Sequence, residues 1–446
     1  MNIQERRLEN AVVELEVEVP ENRVESEYIT VFNKIQKNAK IDGFRAGKVP
    51  KKLLEMKYRE LADRDVAENL LKSVFFDVIK EKEISPIVPP EFDFEKIERG
   101  ELFSFKARFE VAPSVELGEY KKRGVEEHVC EIGEDDIKRE LVELQEKRAI
   151  ITCKEEGKCA EDGDSVMIKI KRIDNVEKET IDKMKYLDYN IIVGKGKSEY
   201  SFDNHVEGMM VNEEKEVAIE YPKDYHITDL AGQKTKYLLM ISEISSRELP
   251  ELNDEFAKEM GDFDSIDKLE KTIGENIENF VKEKVKNLAK SDVLQKIVAE
   301  SKFDLPESMV HREEESLLSR FRMKTGLDEE KFEEFCSNLG DKKDKFLKNI
   351  RDEAENNIKY TVTLGEIAKN EEIKVSEEDF KGVFADIALK TNQSIEEVEK
   401  SATDNDQKGS IESELILRKA LDFIYANSII KKKDPVSMKE FMKEIQ

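Results

Sequence analysis

Residues 11–19, AVVELEVEV, put Val13, Leu15, Val17 and Val19 on one side of an extended chain and Glu14, Glu16 and Glu18 on the other. That period of two fits a strand with one wet face, and such a strand needs an apolar layer behind it and partners beside it. Residues 101–111, ELFSFKARFEV, repeat the pattern through Phe103, Phe105, Ala107, Phe109 and Val111. Between the two the period becomes helical. Val24, Tyr28, Val31, Phe32, Ile35 and Ala39 form one stripe. Leu54, Tyr58, Leu61, Leu70, Val74, Phe75 and Val78 carry a second to about residue 83, with Pro50 as its first helical residue and the charged span RELADRD as a candidate break. The segment ISPIVPPEF is too rich in proline to be regular. Two strands around two helices predict an α+β domain over residues 1–113, with the strand at 11–19 as its first element.

Residues 114–150 read as a connector packing with the C-terminal body: an extended start, a strand around VEEHVCEI, and a helix whose face carries Ile137, Leu141 and Leu144. Short alternating strands return over residues 151–247 (DSVMIKIKRI, KEVAIEY, KYLLMISEI), separated by glycine turns, and predict a small β-rich module. Residues 248–446 read as nearly all helix, six or seven in number. Pro306 opens one, Asp264-Ser265 another, and Ser376/Asp379 and Ser394/Glu397 form capping-box pairs. Charged residues make up 39% of the 446 and apolar ones 38%, against roughly 25% and 45–50% in ordinary globular proteins. Many helices sharing so little core predict thin layers, arms and clefts. The fold class is multidomain α+β with an elongated all-α C-terminal domain.

Charge is unevenly spread. Residues 34–59 hold nine cations and two carboxylates, net +7, so the rest of the chain carries −33 of the total −26. At the centre lies IDGFRAGKVP, with Phe44 between cations. Two readings remain open. Either this is a docking footprint for a phosphate-rich body, or a solvated helix-to-helix turn with Phe44 tucked back into the core.

Other chemistry finds little support. Cys130, Cys153, Cys159 and Cys336 make no C-x-x-C pair and the four histidines are scattered, so no metal site is expected. The run Gly194-Lys195-Gly196-Lys197-Ser198 has Ile191 where a phosphate loop needs glycine, so no nucleotide or other cofactor is expected. The start MNIQERRLEN has no apolar run of the secretory type, and nothing later suits a membrane span, which points to a cytoplasmic protein with no membrane partner.

The pattern GFRxGKxP, here Gly43, Phe44, Arg45, Gly47, Lys48 and Pro50, resembles the ribosome-docking signature of bacterial trigger factor. The FEV at 109–111, RELPEL at 247–252, FDLP at 303–306 and the total length are similar to that family from end to end. The resemblance implies docking beside the polypeptide exit tunnel on ribosomal protein and RNA, binding of nascent and unfolded polypeptides without ATP, and homodimers off the ribosome. It makes these loop residues the ribosome-binding set.

By the same resemblance residues 151–247 are similar to an FKBP-type peptidyl-prolyl isomerase domain, with pocket walls at Phe202, Tyr225 and Tyr237. Such a pocket needs no nucleophile. It strips water from the Xaa-Pro carbonyl and favours the twisted amide that lies at the top of a rotation barrier of about 18–20 kcal/mol. Two stretches depart from the family pattern. Ile170, Lys171 and Arg172 stand where it has an aromatic, a variable residue and glycine; Glu199, Tyr200 and Ser201 stand where it has an aliphatic, proline and glycine. An active isomerase and a peptide-binding module without catalysis both remain open. For the helical arms the resemblance implies client contact, with candidates Met309, Phe321, Met323, Phe332 and Phe335 on one arm and Phe380, Phe384, Ile424, Met438 and Phe441 elsewhere; each also sits on a helical stripe where ordinary core is the alternative. The leading function is a ribosome-associated holding chaperone. The alternatives are a prolyl isomerase acting mainly as a folding enzyme on proline-limited substrates, and an RNA-binding assembly factor using only the basic loop.

Overall fold

The computed structural model describes residues 1–39, 44, 49–155, 157–174, 185–194, 202–222, 225, 230–404 and 407–445. Gly43, Arg45, Gly47 and Lys48 of the loop, and Glu199, Tyr200 and Ser201 of the pocket, lie outside the described residues. The chain divides into two compact units, residues 1–127 with 285–433, and residues 128–284 with 434–446.

In the first unit, β1 (Asn2–Arg7), β2 (Val12–Val19), β3 (Glu91–Phe94) and β4 (Phe103–Glu110) form an antiparallel sheet in the order β1-β2-β4-β3. Register sets Val13, Leu15, Val17 and Val19 opposite Phe109, Ala107, Phe105 and Phe103, and all eight are buried, as the period of two predicts. α1 (Glu21–Asn38) and α2 (Lys51–Glu81) cover that face with Val24, Tyr28, Val31, Val66, Leu70 and Val74. Each such side chain contributes roughly 1.5–3 kcal/mol by leaving water, enough to fix the register against a one-residue slip.

Three details correct the sequence reading. The first element is β1, whose NIQERR shows no apolar alternation because it is an edge strand. α2 departs from helical geometry at Tyr58 (φ −121°, ψ 19°), just before RELADRD. Pro50 caps α2 from outside instead of opening it.

The helical body of this unit contains part of α5 (Ile266–Glu300), then α6 (Glu307–Thr325), α7 (Glu329–Asn338), α8 (Lys343–Asn370), α9 (Glu377–Thr391), α10 (Ile395–Asp404) and α11 (Lys408–Ala426). Its apolar residues fall into separate small clusters, one built on Ala289, Val293, Ile297, Leu364, Ile367, Ala420 and Ile424, one on Phe380, Phe384 and Leu415, and one on Val310, Leu317 and Ile358. β5 (Ser114–Glu116) pairs with β12 (Lys302–Asp304), and Glu110 accepts from the Ser308 backbone at 3.1 Å, tying sheet to body. β6 (Gly124–Glu131) pairs with β13 (Ile429–Ser437).

The second unit holds α3 (Glu134–Lys147), β7 (Ile150–Cys153), β8 (Ser165–Arg172), β9 (Leu187–Ile192), β10 (Glu214–Glu220) and β11 (Lys234–Glu248), then α4 (Asp254–Met260), the start of α5, and α12 (Met438–Glu444). Its sheet runs β10-β11-β8-β9, with β7 on the far end of β11. After residue 248 there are nine helices among the described residues, not six or seven, and two strands. Four of the helices, α4, α7, α10 and α12, are only seven to ten residues long, too short to show three full periods. Both predicted capping boxes form, at Ser376/Asp379 and Ser394/Glu397.

Candidate functional site

The loop between α1 and α2 is clamped at its ends. Ala39 and Val49 are buried with Leu54 against Phe32 and Ile35, and Gln36 Nε2 donates to the Val49 carbonyl at 2.8 Å. Phe44 is 45% exposed, so its ring does not tuck into the core. Pro50 is also exposed.

Beside these helices lies a groove of about 720 Å³ lined by Tyr28, Phe32, Met56, Arg59 and Arg99 among others. Arg99 organises it. Its guanidinium donates to both Glu25 oxygens (2.8 and 2.6 Å) and to Glu55 (2.6 Å), and lies over the Tyr28 and Phe32 rings at 5.8 and 5.9 Å. Tyr28 donates to Asp63 at 2.6 Å; burial foremost, then that carboxylate, pushes the phenol up. Nothing near Arg99 in sequence signals this role, since its partners are far away along the chain.

In the β-rich module, β11 carries Tyr237 inward and the 3-10 turn at Asp203–His205 follows Phe202. The Phe202 ring meets Tyr237 edge-on, centroids 5.0 Å apart at 88°. Both are buried, with Phe202 1% exposed, whereas Tyr225 is half-buried. The fold therefore brings the three predicted walls together. It adds Tyr221, which stacks obliquely on Tyr225 at 4.7 Å and donates to the Tyr237 hydroxyl at 3.4 Å. Burial first, then the Tyr237 hydroxyl, raises the Tyr221 phenol above its ordinary range. Tyr221 sits four residues before Tyr225 in YPKDY, a spacing that was the available signal. Of the departing residues, Ile170 faces the core, Lys171 is buried with Nζ 4.0 Å from the Tyr186 ring centroid, and Arg172 donates through Nε to Asp174.

α6 and α8 run antiparallel, Val310 lying with Ile358 and Phe321 with Phe346. At the tip, with α7, four half-buried rings cluster: Phe321 lies 6.1, 5.7 and 5.5 Å from Phe332, Phe335 and Phe346. Met323 beside them is 80% exposed, and Met309 lines a cavity of about 240 Å³ at the other end. Phe346 escaped the sequence reading, although its spacing to Ile350, Ala354 and Ile358 marks the packed face of α8. Phe380, Phe384, Ile424 and Phe441 are buried core and Met438 is half-buried, so those four face no client in this conformation.

An exposed aromatic in a cationic loop, an aromatic-walled FKBP-like module and a helical part with a ring-tipped hairpin define a multidomain protein-folding factor. Family models described as bacterial trigger factor protein and its C-terminus match residues 1–144 and 265–426, and one for FKBP-type peptidyl-prolyl cis-trans isomerase matches residues 156–242. The trigger factor of Halothermothrix orenii is 31% identical over 95% of this chain and 98% of its own, and that of Anoxybacillus flavithermus 30% over 96% and 99%. A solved structure described as "Promiscuous Substrate Recognition in Folding and Assembly Activities of the Trigger Factor Chaperone" shares the fold at TM-score 0.54 and 19% identity, covering 96% of this chain and 99% of that one. The chain belongs to the trigger factor family, ribosome-associated chaperones with an FKBP-type isomerase domain. No helix among the described residues is long and apolar enough to cross a membrane.

Proposed function

We propose that the loop of residues 43–50 docks the chain beside the ribosomal exit tunnel, on ribosomal protein and RNA. Phe44 seats in a small apolar pocket while Arg45 offers a fork, and Lys48 a point charge, to carboxylate or phosphate. Gly43 and Gly47 let the backbone bend, and Pro50 restricts the exit into α2. The observation that carries this is the exposed Phe44 between clamped ends in a +7 island on an acidic chain. Clamping lowers the ordering cost of docking. Nascent chains are then held at the hairpin tip by Phe321, Phe332, Phe335, Phe346 and Met323, with Met309 further along. The chain acts in the cytoplasm and pairs with a second copy when off the ribosome.

Changing Phe44, Arg45 and Lys48 together to alanine is expected to abolish co-sedimentation with vacant ribosomes while leaving the circular dichroism unchanged. Retained sedimentation refutes the docking role. Added salt is expected to weaken the wild-type complex by about 0.9 log units per tenfold salt for each duplex-like phosphate neutralised.

The cluster of Phe202, Tyr221, Tyr225 and Tyr237 supports a second reading, a prolyl isomerase acting as a folding enzyme. It predicts acceleration of proline-limited refolding that is lost in Tyr225→Ala. Nascent-chain crosslinks, absent for a pure RNA binder, separate both readings from an assembly factor.

A further inference from the structure

Arg172 ends β8, and register sets it directly opposite Tyr237 of β11. Opposed residues of an antiparallel pair share a face, so Arg172 belongs to the face of Ile168, Ile170 and Tyr237, the wall of the aromatic cluster. Those three are buried, but at the strand end the Arg172 side chain stays 45% exposed. Asp174 takes Nε, its oxygens at 2.8 and 2.9 Å, and Nη2 meets Gln233 Oε1 at 3.4 Å. Neither contact uses Nη1. The Asp174 carboxyl is held below its ordinary range foremost by Arg172, so the pair stays ionised and the guanidinium is held in place. A fixed cation with donors to spare thus stands at the rim of an apolar aromatic cluster, at a position where glycine would offer no side chain at all.

We propose that Arg172 makes this module selective for a carboxylate side chain next to the proline it takes, so that acidic Xaa-Pro peptides bind in preference to neutral and basic ones. This rests on the module binding Xaa-Pro peptides. A carboxylate can accept from Nη1 and Nη2 without displacing Asp174, and a basic side chain there meets like charge.

The test titrates labelled peptides, identical except for Glu, Gln or Lys before the proline, against the full chain by fluorescence anisotropy. At low salt the Glu peptide is expected to bind roughly fivefold more tightly than the isosteric Gln peptide, and the Lys peptide more weakly than either. The ratio shrinks toward one near about 1 M salt. Arg172→Gln removes the preference, and Arg172→Lys restores part of it by returning charge without the fork. Equal binding of Glu and Gln peptides, or a preference that survives Arg172→Gln, overturns the inference and leaves the peptide-binding reading standing. Failure of every peptide to bind overturns both.

Discussion

Alanine at Phe202, set beside alanine at Tyr225, separates the fold of the β-rich module from its chemistry. The Phe202 ring is 1% exposed and meets Tyr237 edge-on at 5.0 Å. A buried Phe→Ala change costs about 3–5 kcal/mol in lost transfer and cavity formation, to which such an edge contact adds about 1. At 1.4 kcal/mol per decade, the amides of β8 and β11 are expected to lose protection by at least about a hundredfold in hydrogen exchange followed by mass spectrometry. Those of β2 and β4, in the other unit, are expected to stay unchanged. Tyr225→Ala is the counterpart. Its ring is half-buried, so protection falls less than about tenfold while peptide affinity drops. Undiminished protection in β8 after Phe202→Ala would show the ring to be an open pocket wall and refute the reasoning. It also follows that loss of isomerase activity in Phe202→Ala alone says nothing about catalysis.

Arg99→Lys is expected to lower the thermal midpoint of the N-terminal sheet and helices by an amount equivalent to about 1 kcal/mol, since lysine cannot hold both Glu25 and Glu55; an unchanged midpoint contradicts this. Gln36→Leu removes the donor to the Val49 carbonyl, costs about 1 kcal/mol, and is expected to weaken ribosome co-sedimentation with secondary structure intact. Asp379 is held at about 2, foremost by Lys419 and then by Ser376. Its folded value lies below the ordinary carboxylate value of about 3.9, so its contribution is complete above that pH and disappears as pH falls toward 2. A carboxyl-carbon NMR titration with a midpoint near 4 would contradict it.

Legibility in the sequence followed how local the cause was. β2 and β4 were legible because burial on one face writes itself into every second residue. β1 was not, because an edge strand held by backbone pairing and ion pairs such as Arg6 with Glu14 needs no apolar period. β13, IIKKKDPVS, is almost wholly exposed and carries no alternation at all. Among candidate site residues, Phe44 stood out through the order of its neighbours. Arg99 could not, since Glu25 is 74 positions away, and Gln36 looked like any polar helix residue. Arg172 was visible as a departure from glycine, but its meaning depended on a register that sets it opposite Tyr237.

The proposed client role of the hairpin tip gives a physical account of holding and release in a chain with so little apolar material. Four phenylalanines 5.5–6.2 Å from their neighbours keep one another half out of water, so none is fully satisfied and none is left bare. On the proposed role, a client covers only the remaining exposed area of each ring, worth on the order of 1 kcal/mol apiece at about 25 cal/mol per Å². Several such contacts together with Met323 give useful avidity, while losing any one costs little, which permits release without a chemical energy source. Full burial would remove the surface, as it does for Phe380 and Phe384. Full exposure would invite self-association through the same rings. Half-burial is the condition that allows weak, unselective contact, and here it arises because α6, α7 and α8 share too few apolar residues to close over their own tip.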